Sequence, residues 1–298
     1  MNTIVTHDAK FHTDDVFSVA TLFLLLGKEN CTVIRTRNEE IIKTADYVVD
    51  VGNEYIEDKN RFDHHQIGGA GERENGIPYA SFGLVWKKYG NKICVNEVVS
   101  DEIDKILVQQ VDAGDNGVNL FTLTEKKVFP VILNSLVDLF RSTWNEVEDW
   151  DNIFLRCVDW ATAILVRQIK VTTDWLEGEM IIKNAYEKSE DKEMIIFDKK
   201  YNLGRELVTS ALMKYPEPIY GVYYRADSNK WQIAAIRKER GEFDTRKPFP
   251  EEWRGMRDDE LAKVTGIHDA VFCHRGGFMC VVSTKEGAIA LAQKALLG

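Results

Sequence analysis

The first 65 residues alternate short apolar runs with helical patterns, and this alternation constrains the fold more than any other feature of the chain. Residues 3–5, 31–35 and 47–51 have the apolar, β-branched composition of strands, whereas residues 16–25 are apolar on nearly every side, as in a buried helix. Strands that alternate with helices form parallel sheets. We therefore predict an α/β fold with a doubly wound, mainly parallel sheet in this region.

Histidine and aspartate occur where these predicted strands end. The chain has six histidines, and four of them fall within the first 65 residues. His7 follows the first strand, Asp50 closes a later one, and Asp63-His64-His65 ends a short strand over residues 61–65. Ligands of parallel sheets bind beyond the carboxyl ends of the strands. These side chains are therefore predicted to share one site.

Imidazole and carboxylate groups in this pattern are typical of a site for divalent metals. The site is predicted to hold two cations about 3.5–4 Å apart, with Asp50 as the bridging carboxylate. Mn²⁺ is the first choice because several carboxylates are present, with Zn²⁺, Fe²⁺ and Mg²⁺ as alternatives. A hydroxide between the ions would attack phosphorus, with His65 and Asp63 as the catalytic residues. The predicted metal ligands are His7, His12, Asp14, Asp50, His64 and Asp112.

Other acidic residues near these positions have simpler interpretations. Asp8 fits a solvated charge, and Asp15 fits a cap at the start of a helix. The sequence Asp115-Asn116-Gly117 has the composition of a turn. Asp112 is therefore selected over Asp115 as the later carboxylate ligand.

Helical patterns dominate the middle of the chain. Residues 79–89 and 98–111 are predicted helices, and residues 121 to about 188 are rich in helix formers and poor in glycine. Pro130 is expected to begin or kink a helix there. This stretch is interpreted as a helical insertion and connector.

The last third of the chain changes pattern again. Two strand pairs are predicted, residues 219–224 with 231–236 and residues 271–274 with 279–283, followed by a closing helix over 284–297. We expect a smaller mixed α+β domain here. The predicted domains are a catalytic domain over 1–120, a helical connector over 121–190 and a C-terminal domain over 191–298.

Composition excludes several classes of protein. The chain of 298 residues carries a formal net charge of −10, which argues against nonspecific coating of nucleic acid. It has no apolar run of the length a membrane span needs, and its N-terminus lacks the basic and apolar regions of a signal peptide. The five cysteines show no disulfide or zinc pattern. A cytoplasmic location with no membrane partner is expected.

Several motifs occur in a fixed order that spans nearly the whole chain. They are Thr6-His7, Phe11-His12-Thr13-Asp14-Asp15, Val48-Val49-Asp50-Val51-Gly52, Arg61-Phe62-Asp63-His64-His65-Gln66 and Val111-Asp112-Ala113-Gly114-Asp115-Asn116-Gly117, then Trp253-Arg254-Gly255-Met256-Arg257, Gly266-Ile267 and Phe272-Cys273-His274. This order resembles the DHH phosphoesterase superfamily. Within that superfamily the chain is similar to the MYG-type exonuclease family, also called "metal-dependent protein hydrolase".

The resemblance implies a DHH domain joined to a smaller C-terminal domain, an active site in the cleft between them, and 3′→5′ exonuclease activity on RNA. It also implies a nuclear or mitochondrial location if the source is eukaryotic. Two positions differ from the common patterns. His12 stands where most DHH sequences have aspartate, which makes one metal position richer in nitrogen, and Ala9 stands where the family usually has glycine.

A phosphodiester substrate also needs donors beyond the metals, and the C-terminal part offers them. Guanidinium groups bind phosphate through two contacts, and adjacent glycines let backbone amides approach an oxyanion. The alternative for the arginines is a surface loop in which they pair with nearby acids, and Trp253 could stack a base or belong to the core. The predicted substrate-binding residues are Arg254, Arg257, His274, Arg275, Gly276 and Gly277.

The leading hypothesis is a binuclear phosphodiesterase that acts on RNA or short oligonucleotides from the 3′ end. A second hypothesis is a hydrolase of small phosphorylated substrates, such as pyrophosphate or a cyclic dinucleotide. A third is a regulatory protein that keeps a metal only for stability; a closed coordination shell would distinguish it from a catalytic site. The sequence leaves the oligomeric state open, with a homodimer as one option.

Overall fold

The chain forms two compact units, each containing a five-stranded mixed sheet. The structure, a computed structural model, describes residues 1–147, 149–239 and 244–298. Unit 1 covers Met1–Thr173 and unit 2 covers Asp174–Gly298. The fold is therefore mixed α/β, and the boundary between the units falls inside one long helix.

The sheet of unit 1 is parallel except at one edge. Its strands are β1 (Asn2–Thr6), β2 (Cys31–Arg35), β3 (Tyr47–Val49), β4 (Tyr55–Ile56) and β5 (Arg61–Phe62). Their order is β2-β1-β3-β5-β4, and only the β4–β5 pairing is antiparallel. The carboxyl ends of β1, β3 and β5 consequently lie along one edge of the sheet, as the sequence pattern predicts.

Seven helices have been assigned within the described part of unit 1, the last of which continues into unit 2. They are α1 (Thr13–Leu26), α2 (Glu39–Thr44), α3 (Ser81–Cys94), α4 (Glu97–Ile103), α5 (Gln109–Asp115), α6 (Leu133–Asp138) and α7 (Trp150–Lys188). A π-helical turn, Asp104–Val108, joins α4 to α5. The predicted helix over 98–111 is thus interrupted by this turn and extends to Asp115.

Helix α1 is the central helix of unit 1. Residues 13–23 of this helix are all buried, in agreement with its apolar sequence. It packs against α3, where the rings of Phe17 and Phe82 lie 5.3 Å apart. Phe11 is also buried, and α1 begins two residues after it. The loop that carries His7 and His12 is therefore anchored by β1 at one end and by Phe11 and α1 at the other.

The prediction of helix throughout residues 121–188 is wrong for its first part. Between α5 and α6 the described chain forms no helix, and Pro130 lies in this irregular segment, ahead of the helix that starts at Leu133. Val128 and Phe129 are more than 70% exposed there. Composition alone favoured helix, but these apolar side chains do not form a stripe that one face of a helix could bury.

Unit 2 has helices against both faces of its sheet. Its strands are β6 (Met194–Ile196), β7 (Tyr220–Arg225), β8 (Lys230–Ala235), β9 (Ala270–Cys273) and β10 (Met279–Val282), in the order β6-β7-β8-β10-β9. Only β6 and β7 pair in parallel. The two predicted strand pairs are confirmed, whereas β6 was not predicted.

The helices of unit 2 complete two separate cores. They are α8 (Arg205–Leu212), α9 (Asp258–Thr265) and α10 (Lys285–Leu297). The Thr284 side chain caps α10 by accepting a hydrogen bond from the Gly287 amide. Tyr220 and Val222 of β7 pack in the core with α10, and Tyr223 points into the core with α8. This alternation is the period of two expected of a strand covered on both faces.

In the ranges that the structure describes, no helix combines the length and apolar character that crossing a bilayer requires. All five cysteines are free thiols.

Candidate metal centre

Side chains from β1, α1, β3 and β5 converge at the carboxyl edge of the parallel sheet. His7 follows β1, Asp50 follows β3, and His64 follows β5. All three are buried. The topology that places the strands side by side is therefore what brings together residues that are far apart in the sequence.

Asp50 lies at the middle of this cluster. Its Oδ2 atom is 3.2 Å from His7 Nε2, and its Oδ1 atom is 3.4 Å from both His64 Nε2 and His65 Nδ1. Each of the two oxygens thus faces a different set of imidazoles. This is the arrangement expected of a carboxylate that bridges two ions.

Three groups of potential ligands lie at this cluster among the described residues. Within each group the donor atoms are within 4.8 Å of one another, and the groups are His7, His12 and Asp50; Asp50, His64 and His65; and Asp14, His64 and Asp115. His64 Nε2 is 3.1 Å from Asp115 Oδ2 and 3.8 Å from Asp14 Oδ2. Five of the six predicted ligands therefore lie in the cluster.

The sixth predicted ligand, Asp112, is placed elsewhere. Its Oδ1 atom accepts a hydrogen bond from the Gly83 amide, and its Oδ2 atom lies 2.8 Å from Arg73 Nη1. Arg73 also makes two contacts with Asp104. Asp115, three residues further along α5, faces His64 instead, so the structure brings Asp115 and not Asp112 into the cluster.

Asp15 is a second acidic residue that sequence reasoning undervalued. Its Oδ1 atom accepts from the His12 amide and so caps α1, as predicted. Its Oδ2 atom lies 3.2 Å from His7 Nε2. A carboxylate has two oxygens, and a capping pattern in the sequence accounts for only one of them.

The orientation of His7 suits a metal ligand. Its Nδ1 atom is 2.9 Å from the Asp8 carbonyl, and a carbonyl can only accept a hydrogen bond. Nδ1 therefore donates to this carbonyl, and Nε2, which lies 3.2 Å from an oxygen of Asp15 and of Asp50, is the nitrogen that would bind a metal once it is deprotonated. Metal-binding histidines are commonly oriented by such a contact on the other ring nitrogen.

Three buried carboxylate oxygens in the cluster accept no hydrogen bond: Asp14 Oδ1, Asp15 Oδ2 and Asp50 Oδ1. Leaving an anionic oxygen buried and unsatisfied is costly, and cations are the usual compensation. The donors present, imidazole nitrogen and carboxylate oxygen, fit Mn²⁺, Fe²⁺ or Zn²⁺. The residues of the cluster therefore fit the predicted metals.

The protonation equilibria show how crowded the negative charge is. Burial and the neighbouring carboxylates of Asp50 and Asp115 raise the pKa of Asp14 well above its usual value, and burial beside Asp50 raises the pKa of Asp15 to about 7. Burial would raise the pKa of Asp50 as well, but the His64 and His7 imidazoles outweigh it and lower that pKa. Burial alone would lower the pKa of His64, but the carboxylates of Asp115 and Asp50 raise it to about 10. Metal binding would displace such protons.

Asp63 and His65 form a separate pair at the rim of the cluster. Asp63 Oδ1 lies 2.7 Å from His65 Nδ1, and Asp63 Oδ2 accepts from the Asn53 amide. The His65 side chain is 56% exposed, whereas Asp63 is buried. Asp63 thus orients an imidazole that solvent or a substrate can reach.

Two residues of the loops at this edge of the sheet have a left-handed backbone. Asp50 has a φ of 54° and Ala9 has a φ of 62°, both in the left-handed region that side chains with a Cβ rarely adopt. A positive φ explains why a glycine would fit at the position of Ala9.

The residues predicted to bind substrate lie in unit 2, around the turn between β9 and β10. His274 Nδ1 accepts from the Gly276 amide, and Gly277 has a φ of 66°. The Gly277 carbonyl accepts from the Phe249 amide, and Arg254 Nε donates to the Phe249 carbonyl. The side chain of Arg254 and the carbonyl of Gly277 are therefore both bonded to the backbone of Phe249.

The remaining members of this set differ in exposure and contacts. Arg275 is exposed, and the Arg257 guanidinium lies 4.4 Å from the centre of the Phe272 ring. Neither Arg254 nor Arg257 pairs with a carboxylate within the described residues, so the alternative of a surface ion pair is not observed. Trp253 is only 3% exposed and belongs to the core, which removes it as a base-stacking surface.

Comparison with known proteins gives a match over almost the entire chain. The model of the MYG1 exonuclease family, described as uncharacterised protein family UPF0160, matches residues 3–296. The MYG1 protein of Dictyostelium discoideum is 30% identical over 99% of this chain and 96% of its own length. The MYG1 exonuclease of Homo sapiens is 28% identical over 98% of this chain and 85% of its own length. A pGpG-specific phosphodiesterase from Vibrio cholerae aligns over 100% of both chains, but at 15% identity and a TM-score of 0.33 this likeness establishes no shared fold.

Proposed function

The chain belongs to the MYG1 exonuclease family, and from this premise we propose that it is a divalent-metal-dependent phosphodiesterase that removes nucleotides from the 3′ end of RNA or short oligonucleotides. Relatives in human, rat and mouse carry the name exonuclease. The hydrolysis of phosphodiester bonds is consistent with the cluster at the edge of the parallel sheet. The strand order β2-β1-β3-β5 supports a doubly wound DHH-type assignment for unit 1.

One observation carries the proposal: Asp50 is buried between two groups of imidazole and carboxylate donors, with each of its oxygens facing a different group. His7, His12 and Asp15 would hold one cation on the Oδ2 side. Asp14, His64 and Asp115 would hold a second on the Oδ1 side. When bound, two such cations supply a nucleophile from water at neutral pH and neutralise charge on the phosphoryl group.

The protein residues would divide the remaining tasks by position. His65 reaches solvent and is oriented by Asp63, so it is placed to donate a proton to the departing oxygen. Asp63 is a positioning residue in this scheme because the Asn53 amide and His65 occupy its oxygens.

We assign binding of the substrate phosphate to the predicted set in unit 2, namely Arg254, Arg257, His274, Arg275, Gly276 and Gly277. Arg254 and Arg257 have no acidic partner within the described residues. Guanidinium groups stabilise charge that develops on phosphate oxygens. Gly276 is exposed and Gly277 is buried, and the amides of both donate to His274. The assignment rests on the chemistry of these side chains, and substitution of the individual residues tests it.

The experiment is a hydrolysis assay with Mn²⁺ on a short RNA labelled at its 5′ end. We expect a ladder that shortens from the 3′ end, no product after chelation, and recovery when Mn²⁺ is returned. A companion RNA whose 3′ end is blocked should resist, while the matching DNA and pyrophosphate test the substrate class. Release of the labelled 5′ nucleotide as the first product would contradict the 3′→5′ direction, and cleavage of pyrophosphate alone would favour the small-substrate hypothesis.

A further inference from the structure

A cavity of about 640 Å³ opens beside the metal-ligand cluster on the side of His7, His12 and Asp50. Its volume exceeds what a single phosphate group needs. The cavity is lined entirely by residues 7–65, so it belongs to unit 1 alone. A substrate whose scissile phosphate lies at the cluster would therefore have room to place a neighbouring part of its chain here.

The charge of the lining changes away from the cluster. Arg37, Lys43 and Arg61 line the cavity, together with Asp50 of the cluster and the acidic side chains of Glu39, Glu54 and Asp63. Three cationic side chains thus lie in one cavity of a chain whose formal net charge is −10. Cationic side chains beside a metal site favour a ligand that carries a second negative charge.

Arg37 and Lys43 are available to such a ligand. Arg37 Nε lies 3.2 Å from Asp8 Oδ1, but both side chains are more than half exposed. Lys43 Nζ lies 3.0 Å from Glu40 Oε1, and the Glu40 side chain is 84% exposed. Exposed ion pairs of this kind contribute little, so a phosphate can replace the carboxylate at small cost.

Arg61 supplies a fixed charge to the same cavity. Its guanidinium donates to the carbonyl oxygens of Lys59, Lys43 and Ala45. In the part of the chain that the structure describes, no carboxylate pairs with it. Carbonyl groups orient a guanidinium without neutralising it, so Arg61 holds positive potential in place.

The rest of the lining suits a sugar or base. Ile42, Val48 and Val51 give it an apolar surface. Gly52 has a φ of 98°, and a Cβ built at this position would lie 3.3 Å from Ile42 Cγ2. The glycine therefore keeps the loop after Asp50 close to α2 without filling the space between them.

We propose that this cavity binds the nucleotide next to the scissile bond and that Arg37 and Lys43, in the field of Arg61, bind its non-scissile phosphate. The site would thereby select substrates that carry a second phosphate one nucleotide from the reacting one. The inference rests on the proposed function, since it presumes that the scissile phosphate occupies the cluster. No covalent step is added, because the second phosphate contributes only binding.

The test compares two substrates that differ by a single group. Diadenosine monophosphate, ApA, has only the scissile phosphate, and its 5′-phosphorylated form, pApA, has the second one. With Mn²⁺, the wild-type protein should hydrolyse pApA with a kcat/KM about ten-fold or more above that of ApA, the size expected for a charged hydrogen-bonded contact. Arg37→Ala and Lys43→Ala should each reduce this ratio several-fold, and the double variant should bring it near one.

Arg167→Ala is the matched control, because this arginine is exposed on α7 and lies outside the cavity. It should keep the wild-type ratio. Failure to shorten the 5′-labelled RNA with Mn²⁺ would refute the proposed function itself, whereas hydrolysis of that RNA with neither dinucleotide cleaved would overturn the second-phosphate site alone. Hydrolysis of both at equal efficiency would overturn the second-phosphate site alone, as would a ratio that survives in the double variant. An equal loss on both substrates in Arg37→Ala would also overturn it, because the residue would then act on a part that the two substrates share.

Discussion

Asp112 and Asp115 offer the sharpest comparison between the sequence pattern and the structure. Both are on α5, three residues apart, and either could supply the later carboxylate of a DHH-type site. In the structure Asp115 Oδ2 is 3.1 Å from His64 Nε2, whereas Asp112 contacts Arg73 and the Gly83 amide. We therefore expect Asp115→Asn and Asp112→Asn to have different consequences.

Asp115→Asn should weaken one of the two Mn²⁺ sites by more than about 100-fold. Residues that only orient a ligand change metal affinity by roughly 10–100-fold, and a direct ligand should exceed that range. Asp112→Asn should change Mn²⁺ affinity by less than about ten-fold, because its oxygens already have protein partners.

The effect of Asp112→Asn on stability combines two opposing terms. The variant loses the ion pair with Arg73, although Arg73 keeps its two contacts with Asp104. Against this, burial raises the pKa of Asp112 to about 7 in spite of Arg73, so removing the charge also removes a desolvation penalty. We expect the free energy of unfolding to change by no more than about 2 kcal/mol, which is about 4–8 °C in Tm for a unit of this size.

Calorimetric titration of the metal-free variants with Mn²⁺ measures both affinities, and thermal unfolding without metal gives the change in Tm. The two variants are matched, since each converts one carboxylate on the same helix to an amide. Loss of a Mn²⁺ site in Asp112→Asn, with both sites intact in Asp115→Asn, would refute the reasoning.

Three further substitutions test other parts of the account. Asp50→Asn should reduce turnover by at least about 1,000-fold, because asparagine lacks the charge. The fold should stay intact, since asparagine tolerates the left-handed φ at this position, and circular dichroism checks this. Near-normal turnover at saturating Mn²⁺ would exclude a bridging role. His274→Ala should lower kcat/KM about ten-fold at unchanged metal content. Loss of metal from this variant would instead make His274 a metal ligand. No change in kcat/KM or in metal content would leave substrate binding to Arg254 and its neighbours. Gly83→Ala should lower the free energy of unfolding by about 2–3 kcal/mol, since the new Cβ would lie 1.8 Å from Asp112 Oδ2. An unchanged Tm would show that Asp112 and Arg73 can shift to accommodate the Cβ without loss of stability.

Local patterns in the sequence located most of the strands and helices that position the site. The apolar runs that became β1, β2 and β3 are bounded by polar residues, and parallel strands present their carboxyl ends at one edge. That rule was sufficient to bring His7, Asp50 and His64 together. The strands β4 and β6 have two and three residues, too few to show periodicity, and were not predicted. The equally short β3 and β5 differ because each is followed by a polar motif, Asp50 or Asp63-His64-His65.

The members of the cluster that the sequence pattern did not select depend on tertiary contacts. Asp15 was identified as a cap, but only the folded loop shows that its second oxygen faces His7. Asp112 and Asp115 are separated by less than one turn of α5, so the rotation of that helix decides which one faces His64. The partner that holds Asp112 is Arg73, which lies on the loop after β5 and carries no signal of this role in the sequence.

The prediction of helix for the segment between α5 and α6 failed for a different reason. Its composition favours helix, but helices in folded proteins are stabilised mainly by packing of an apolar face. Phe129 and Val131 are 72% and 76% exposed, so no such face is buried. Propensity without a buried stripe was an insufficient basis for predicting a helix.

The most direct test of the central claim is a crystal structure grown with Mn²⁺ and recorded at a wavelength where manganese scatters anomalously. We predict two anomalous peaks about 3.5–4 Å apart, with the Asp50 carboxylate between them, His7 and His12 on one ion, and His64 and Asp115 on the other. At least one ion should retain a water molecule. A single ion closed on all sides by protein ligands, or peaks that lie beside Asp112 and away from Asp50, would contradict a binuclear catalytic centre.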